Sequence, residues 1–153
     1  MAKMFQLRSR IDLVANNLKQ LNAMLMKSVR KAMTVASDKM LEDMYEETAG
    51  FYTKAEPKQY ERTGALGDTP RVTSLNQDSN SVSFDAYLDT SHQYTTGSTP
   101  TMEDVLKLAN DGIPFITQGG HPARPTVGKR GFWDDAKKKM EITLEHTIGK
   151  FFD

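Results

Sequence analysis

The chain has 153 residues, with 20 basic and 20 acidic side chains and no cysteine. That length fits one domain with a real core, and the balanced charge gives no global pull toward nucleic acid or a membrane surface. Without cysteine, disulfides and thiolate metal sites are excluded, in keeping with a reducing compartment. A hydrophobic share of 38% with only 8% aromatic residues predicts a thin core, or one completed by another subunit. No apolar run approaches the ~18 residues of a membrane span, and no uninterrupted apolar block opens the chain as in a signal peptide. The expectation is a cytosolic protein with no membrane partner.

Apolar and small residues recur three and four apart at Ile11, Val14, Leu18, Leu21, Leu25, Ala32 and Val35. This is the seam of a coiled-coil-like helix. Continued through Met40, Leu41, Met44 and Tyr45, it predicts a helix from near Phe5 to Thr48, stopped by Gly50. At 1.5 Å per residue such a helix is roughly 60 Å long, too long for the remaining chain to bury. Either it breaks near Thr34–Ser37 or it projects and packs on a neighbour. Leu18, Leu21 and Leu25 are therefore candidate interface residues. Charge is polarised along the same stretch: mostly Lys and Arg up to Val35, then Asp38, Glu42, Asp43, Glu46 and Glu47 against Lys39 alone. Such a helix suits a contact with a copy of itself or with a polar partner. Seven of the nine methionines also lie in this first third, as core filling or as an adaptable contact surface.

An elbow, Tyr60-Glu61-Arg62-Thr63-Gly64-Ala65-Leu66, joins this helix to strand-like runs at 71–76 and 81–90 around the turn Gln77-Asp78-Ser79-Asn80. In the second run Val82, Phe84, Ala86 and Leu88 alternate with Ser83, Asp85, Tyr87 and Asp89, so one face is buried. Thr99 with Pro100 predicts the start of a short helix through Val105, Leu106, Leu108 and Ala109 toward Gly112. The Gly- and Pro-rich stretch 113–131 reads as a long loop with a short strand at 115–117. Its Lys129-Arg130 pair could touch phosphates or an acidic surface. A last helix from Trp133 to Ile148 carries Trp133, Met140, Leu144 and Ile148 on one stripe, with Lys137, Lys138 and Lys139 largely outside.

Catalytic signals are thin. His92, His121 and His146 lack metal-ligand spacing, Asp134-Asp135 suits a helix start better than acid–base work, and Gly119-Gly120 lacks a phosphate-cradle frame. The expectation is no enzyme, no cofactor and no metal. The fold class expected is α+β: a long N-terminal helix (1–49), then a body (50–153) with a small antiparallel sheet and a C-terminal helix packed on it.

The order of these elements carries a resemblance. A long helix, the Arg62-Thr63-Gly64-Ala65-Leu66 elbow, a hairpin, and Ala123-Arg124-Pro125 ahead of a closing helix resemble the tail-completion or head–tail connector proteins of long-tailed phages, the minor tail protein Z-like group. The chain departs from that pattern in the helix near Thr101–Asn110 and in Thr126, where an aromatic residue is usual. The resemblance implies a structural protein of the phage neck or tail end, acting in the virion after assembly in the host cytoplasm. It implies a homo-oligomeric ring that meets other neck, connector or tail-tube proteins and passes genomic DNA. Arg62, Gly64, Leu66 and Arg124 join the leucines as candidate interface residues. The runner-up is a nucleic-acid-binding module using the basic half of the first helix and the Lys129-Arg130 loop.

Overall fold

A computed structural model of the protein describes residues 2–53, 64–92, 100–117, 119–123 and 128–153, with side chains from residue 15 onward. Arg62 and Thr63 of one motif and Arg124 and Pro125 of the other lie outside the described residues. The architecture is α+β: a long N-terminal helix, a small set of antiparallel strands, and a C-terminal helix packed against the first.

Helix α1 spans Ala2–Tyr52 without interruption, about 75 Å at the usual rise. Of the two alternatives, a break near Thr34–Ser37 does not occur, although the hydroxyls there bond back to helix carbonyls. Thr34 Oγ1 donates to the Arg30 carbonyl and Ser37 Oγ to the Thr34 carbonyl. Nor does Gly50 end the helix. Phe51 must remain helical to enter the core, and termination falls to Thr53, whose N–H and Oγ1 both donate to the Gly50 carbonyl. The buried positions of α1 are Met26, Ala32, Ala36, Ser37, Met44, Thr48 and Phe51.

After Gly64, a 3-10 turn at Ala65–Asp68 leads into β1 (Pro70–Val72) and β2 (Asn76–Gln77). These return as β3 (Val82–Ser83) and β4 (Ala86–Leu88). The hairpin is shorter than its sequence suggested and its register shifts. Val72 faces Ala86, whereas Asn76 faces Ser83. Three residues on one side thus oppose two on the other, a bulge that bends the ribbon. Thr73 holds the site, exchanging N–H and Oγ1 contacts with the Asp85 backbone. The turn begins at Asp78, since Gln77 is still paired. Its carboxylate accepts from the Asn80 and Ser81 N–H groups, and these bonds hold its pKa below the ordinary carboxylate value, the Asn80 N–H contributing most. Along 81–89 the even positions are half-buried and the odd positions up to Tyr87 exposed, as alternation predicts.

Helix α2 spans Met102–Asp111. Its cap is Thr101, two residues later than expected. The reason is reciprocal bonding: Thr101 Oγ1 accepts from the Asp104 N–H while the Asp104 carboxylate accepts from the Thr101 N–H. Gly112 ends it in the left-handed conformation. Residues 115–117 and 119–123 lie side by side, with a bridge between Ile116 and Pro122. Helix α3, Phe132–Phe152, begins one residue before the expected start and runs four beyond the expected end. Its buried stripe is Phe132, Ala136, Met140 and Thr147, and Trp133, Leu144 and Ile148 are only half-buried. Small residues on both helices, Ala32, Ala36 and Ala136, permit close packing.

The core gathers where α1 ends: Phe51, Leu66, Met102, Ala109 and Phe132, with Tyr52, Leu88, Leu106 and Trp133 against them. The Phe51 ring meets Tyr52 and Phe132 edge-on, at centroid distances of 5.4 and 5.7 Å. Gly128 lies against the same ring, where an added Cβ would fall 2.3 Å from Phe51. Gly128→Ala should therefore cost about 1–3 kcal/mol by overpacking. Gly64 has φ 75°, so Gly64→Val should cost about 1 kcal/mol or more from backbone strain. Gly67→Ala, with its Cβ at an ordinary 3.8 Å from Tyr52, should be nearly silent. Urea denaturation of the three variants checks this order, and equal midpoints for all three would refute it.

Candidate functional site

The C-terminal half of α1 is clamped by cations. Lys139 on α3 contacts Asp43, Glu46 and Glu47, and Thr143 Oγ1 donates to Asp43 at 2.5 Å. Lys129 bridges Glu47 at 3.2 Å and Asp135 at 2.8 Å. These contacts run antiparallel: moving up α3 from 139 to 143 moves down α1 from 46 to 43. Lys139, expected outside with its neighbours, is thus half-buried, and the acidic block of α1 is mostly answered within the protomer. The polarised charge of the helix reflects this internal clamp.

The loop cations expected to meet phosphates are engaged as well. Arg130 Nη1 donates to the Leu108 and Ala109 carbonyls, closing the C-terminal end of α2. Asn110 reciprocates: its Oδ1 accepts from the Trp133 N–H, and its carbonyl from the Gly131 N–H. Lys129 thus ties α3 to α1, and Arg130 ties α2 to the loop before α3.

Shallow clefts lie among the described residues. One is lined by Leu88, Leu106, Asn110 and Trp133. Another lies beside Arg71, which is committed to the Asp68 and Pro70 carbonyls and to Asp89. Among the described residues no group of three or more His, Asp or Glu side chains is placed to hold a metal ion. Nor is any helix there long and apolar enough to cross a membrane.

The N-terminal half of α1 is different. Asn22 donates to the Ser79 carbonyl and Arg30 to Gln77 Oε1, so the hairpin tip covers one side, burying Met26 between them. The other side is open. Leu18, Leu21 and Leu25 are 61, 63 and 48% exposed, with Met24 exposed beside them. At about 100° per residue these leucines share an arc of about 60° with Ala32 and Ala36, which are fully buried. They continue the buried face of α1 beyond the reach of α3. With Thr143 opposite Asp43 and both helices rising equally, Phe152 ends about level with Thr34.

Of the other candidates, Gly64 is exposed at its left-handed corner. Leu66 is 4% exposed and belongs to the protomer's own core, so it is not free for a partner. The 3-10 turn after Gly64 folds it inward against Phe51. Sequence reasoning missed the Lys139 cluster, although the acidic block and the lysine run were both in view. It also missed Gly128, for which nothing in the sequence signals an aromatic ring overhead.

The profile of the YomN protein family matches residues 17–149. The chain belongs to the YomN family. That family is phage-derived, which places the chain among phage proteins. The YomN match starts just before the exposed leucines and takes in the whole clamp. No curated protein and no solved structure matches the chain.

The clamp has a defined pH window. Hydrogen bonds from Lys137 and Lys129 hold the carboxyls of Asp134 and Asp135 below their ordinary 3.8. Bonds to Asp135 and Glu46, respectively, hold the ammonium groups of Lys129 and Lys139 above 10.5. Depressed carboxyls stabilise above 3.8 and lose that contribution as pH falls through their folded values. Raised amines stabilise below 10.5 and lose it as pH rises through theirs. Lys129 and Lys139 are the cations that reach α1, so docking of α3 on α1 should hold below 10.5 and weaken as pH rises through their raised values. Asp134 and Asp135, by contrast, make the start of α3 lose stability as pH falls below 3.8. Because these groups are largely solvated, Lys139→Met should cost no more than about 1 kcal/mol at low salt and less at high salt. Thermal melts at both salts check this. An equal loss at both would assign the role to the lysine stem and not to its charge.

Proposed function

We propose that this phage protein is a non-enzymatic structural component of the virion, acting at the neck or tail end as a homo-oligomeric ring. The carrying observation is the stripe Leu18, Leu21 and Leu25, large apolar side chains left in solvent on a helix whose same face is fully buried at Ala32, two turns further along. Isolated exposed leucines are ordinary, but a stripe continuous with a core face is an interaction surface. The left-handed Gly64 after the long helix and the hairpin that follows agree with the tail-completion and connector resemblance. Membership of a phage-derived family supports the same setting. In this reading the ring meets other neck, connector or tail-tube proteins and encloses the path of genomic DNA.

The nucleic-acid reading keeps one supporting observation. Lys19, Lys27, Arg30 and Lys31 lie on a stretch, 13–37, with no carboxylate. Lys129 and Arg130, its other cations, already bond carboxylates and carbonyls of the same protomer, which makes this the weaker reading.

Leu21→Asp should abolish assembly while leaving the folded protomer intact, because a lone charge in a closed apolar contact is costly. Light scattering and electron microscopy of parent and variant, with circular dichroism as the fold check, test this. A parent that stays monomeric and binds DNA with a steep salt dependence would replace the ring reading with the other.

A further inference from the structure

The exposed leucine stripe needs a counterpart, and two overhangs laid side by side are a poor one. Residues 13–37 carry Lys19, Lys27, Arg30 and Lys31 with no Asp or Glu. Among the described residues Lys19, Lys27 and Lys31 form no ion pair. A contact between two such segments would bring like charges together around the apolar seam, which opposes it.

The outer face of α3 has the opposite character. Lys138, Ile142, Glu145, Gly149 and Phe152 are spaced four, three, four and three apart, on the side facing away from the buried Phe132, Ala136, Met140 and Thr147. Ile142 is 67% exposed and Phe152 48%. Glu141 and Glu145 flank Ile142, and among the described residues neither is ion-paired. Lys138 is the one cation on this stripe, a turn below. The lengths agree: residues 15–31 of α1 span about 24 Å and residues 138–152 of α3 about 21 Å.

Resting on the ring reading, we propose that the basic, leucine-bearing overhang of α1 docks on the outer face of α3 of the next copy. Leucines meet Ile142 and Phe152, and lysines meet Glu141 and Glu145. The junction is heterologous, since each protomer gives an overhang and receives one on a different surface. Repetition of one such contact closes into a ring when its rotation allows.

The test uses two full-length variants with exposed substitutions, Leu21→Asp and Ile142→Asp, each confirmed as folded by circular dichroism. Each alone should assemble at least tenfold less well than the parent by light scattering. Mixed in equal amounts, they should form a dimer and no ring, because only the intact overhang of one fits the intact α3 face of the other. In a second arm, Glu141→Lys/Glu145→Lys should lose assembly and Lys27→Glu/Lys31→Glu added to it in the same chain should restore it. If Ile142→Asp assembles like the parent, or the mixture stays monomeric, the junction lies elsewhere and the ring reading survives. If the parent is monomeric at every concentration, both fall.

Discussion

The fold turns on one contact, the Phe51 ring lying on the backbone at Gly128. Phe51 is the last buried side chain of α1, and its ring meets Phe132 at the start of α3 and Tyr52 beside it. The Lys129 N–H donates to the Phe51 carbonyl. That one position thus joins the end of the first helix to the loop that launches the last. Any side chain at 128 would displace the ring and loosen both helices together. Because this core sits at one end of a helix of about 75 Å, the remainder of α1 must be held by other means.

Those means are a small-residue helix interface and a ring of ion pairs. Ala32, Ala36 and Ala136 are fully buried and let the backbones approach. Lys129 and Lys139 then meet the carboxylates of α1 from the solvent edge. Solvated pairs contribute little each. Lys139 meets Glu46 while Thr143, one turn on, meets Asp43, so these contacts match the antiparallel run of α3 along the acidic half of α1, and the basic half is left unanswered.

Much of the fold was legible in the sequence because its signals are periodic or local. The helical seam, the alternation in 82–88, the left-handed elbow at Gly64 and the helix stop at Gly112 each follow from a single residue or spacing. The boundaries that shifted did so through partners that a linear reading does not weigh. Thr101 won the cap from Thr99 because Asp104 stands at the right offset to answer it. Phe132, not Trp133, entered the core because Gly131 turns the chain one residue earlier. The candidate surface divides the same way. Exposure of Leu18, Leu21 and Leu25 was foreseeable from the mismatch between helix length and chain length. The burial of Leu66 and the engagement of Arg130 were not, since both depend on which distant backbone lies opposite.

An unbroken helix held over part of its length is also a lever. From Asn22, where the hairpin tip bonds α1, to the helix N-terminus is about 30 Å, so a tilt of about 10° at the held part moves the free end by about 5 Å. Angular precision at the free end is then decided far away, by the fit of an aromatic ring on a glycine and by a few lysines. Assemblies built on such an arm would vary in diameter and curvature with changes that never touch a subunit contact.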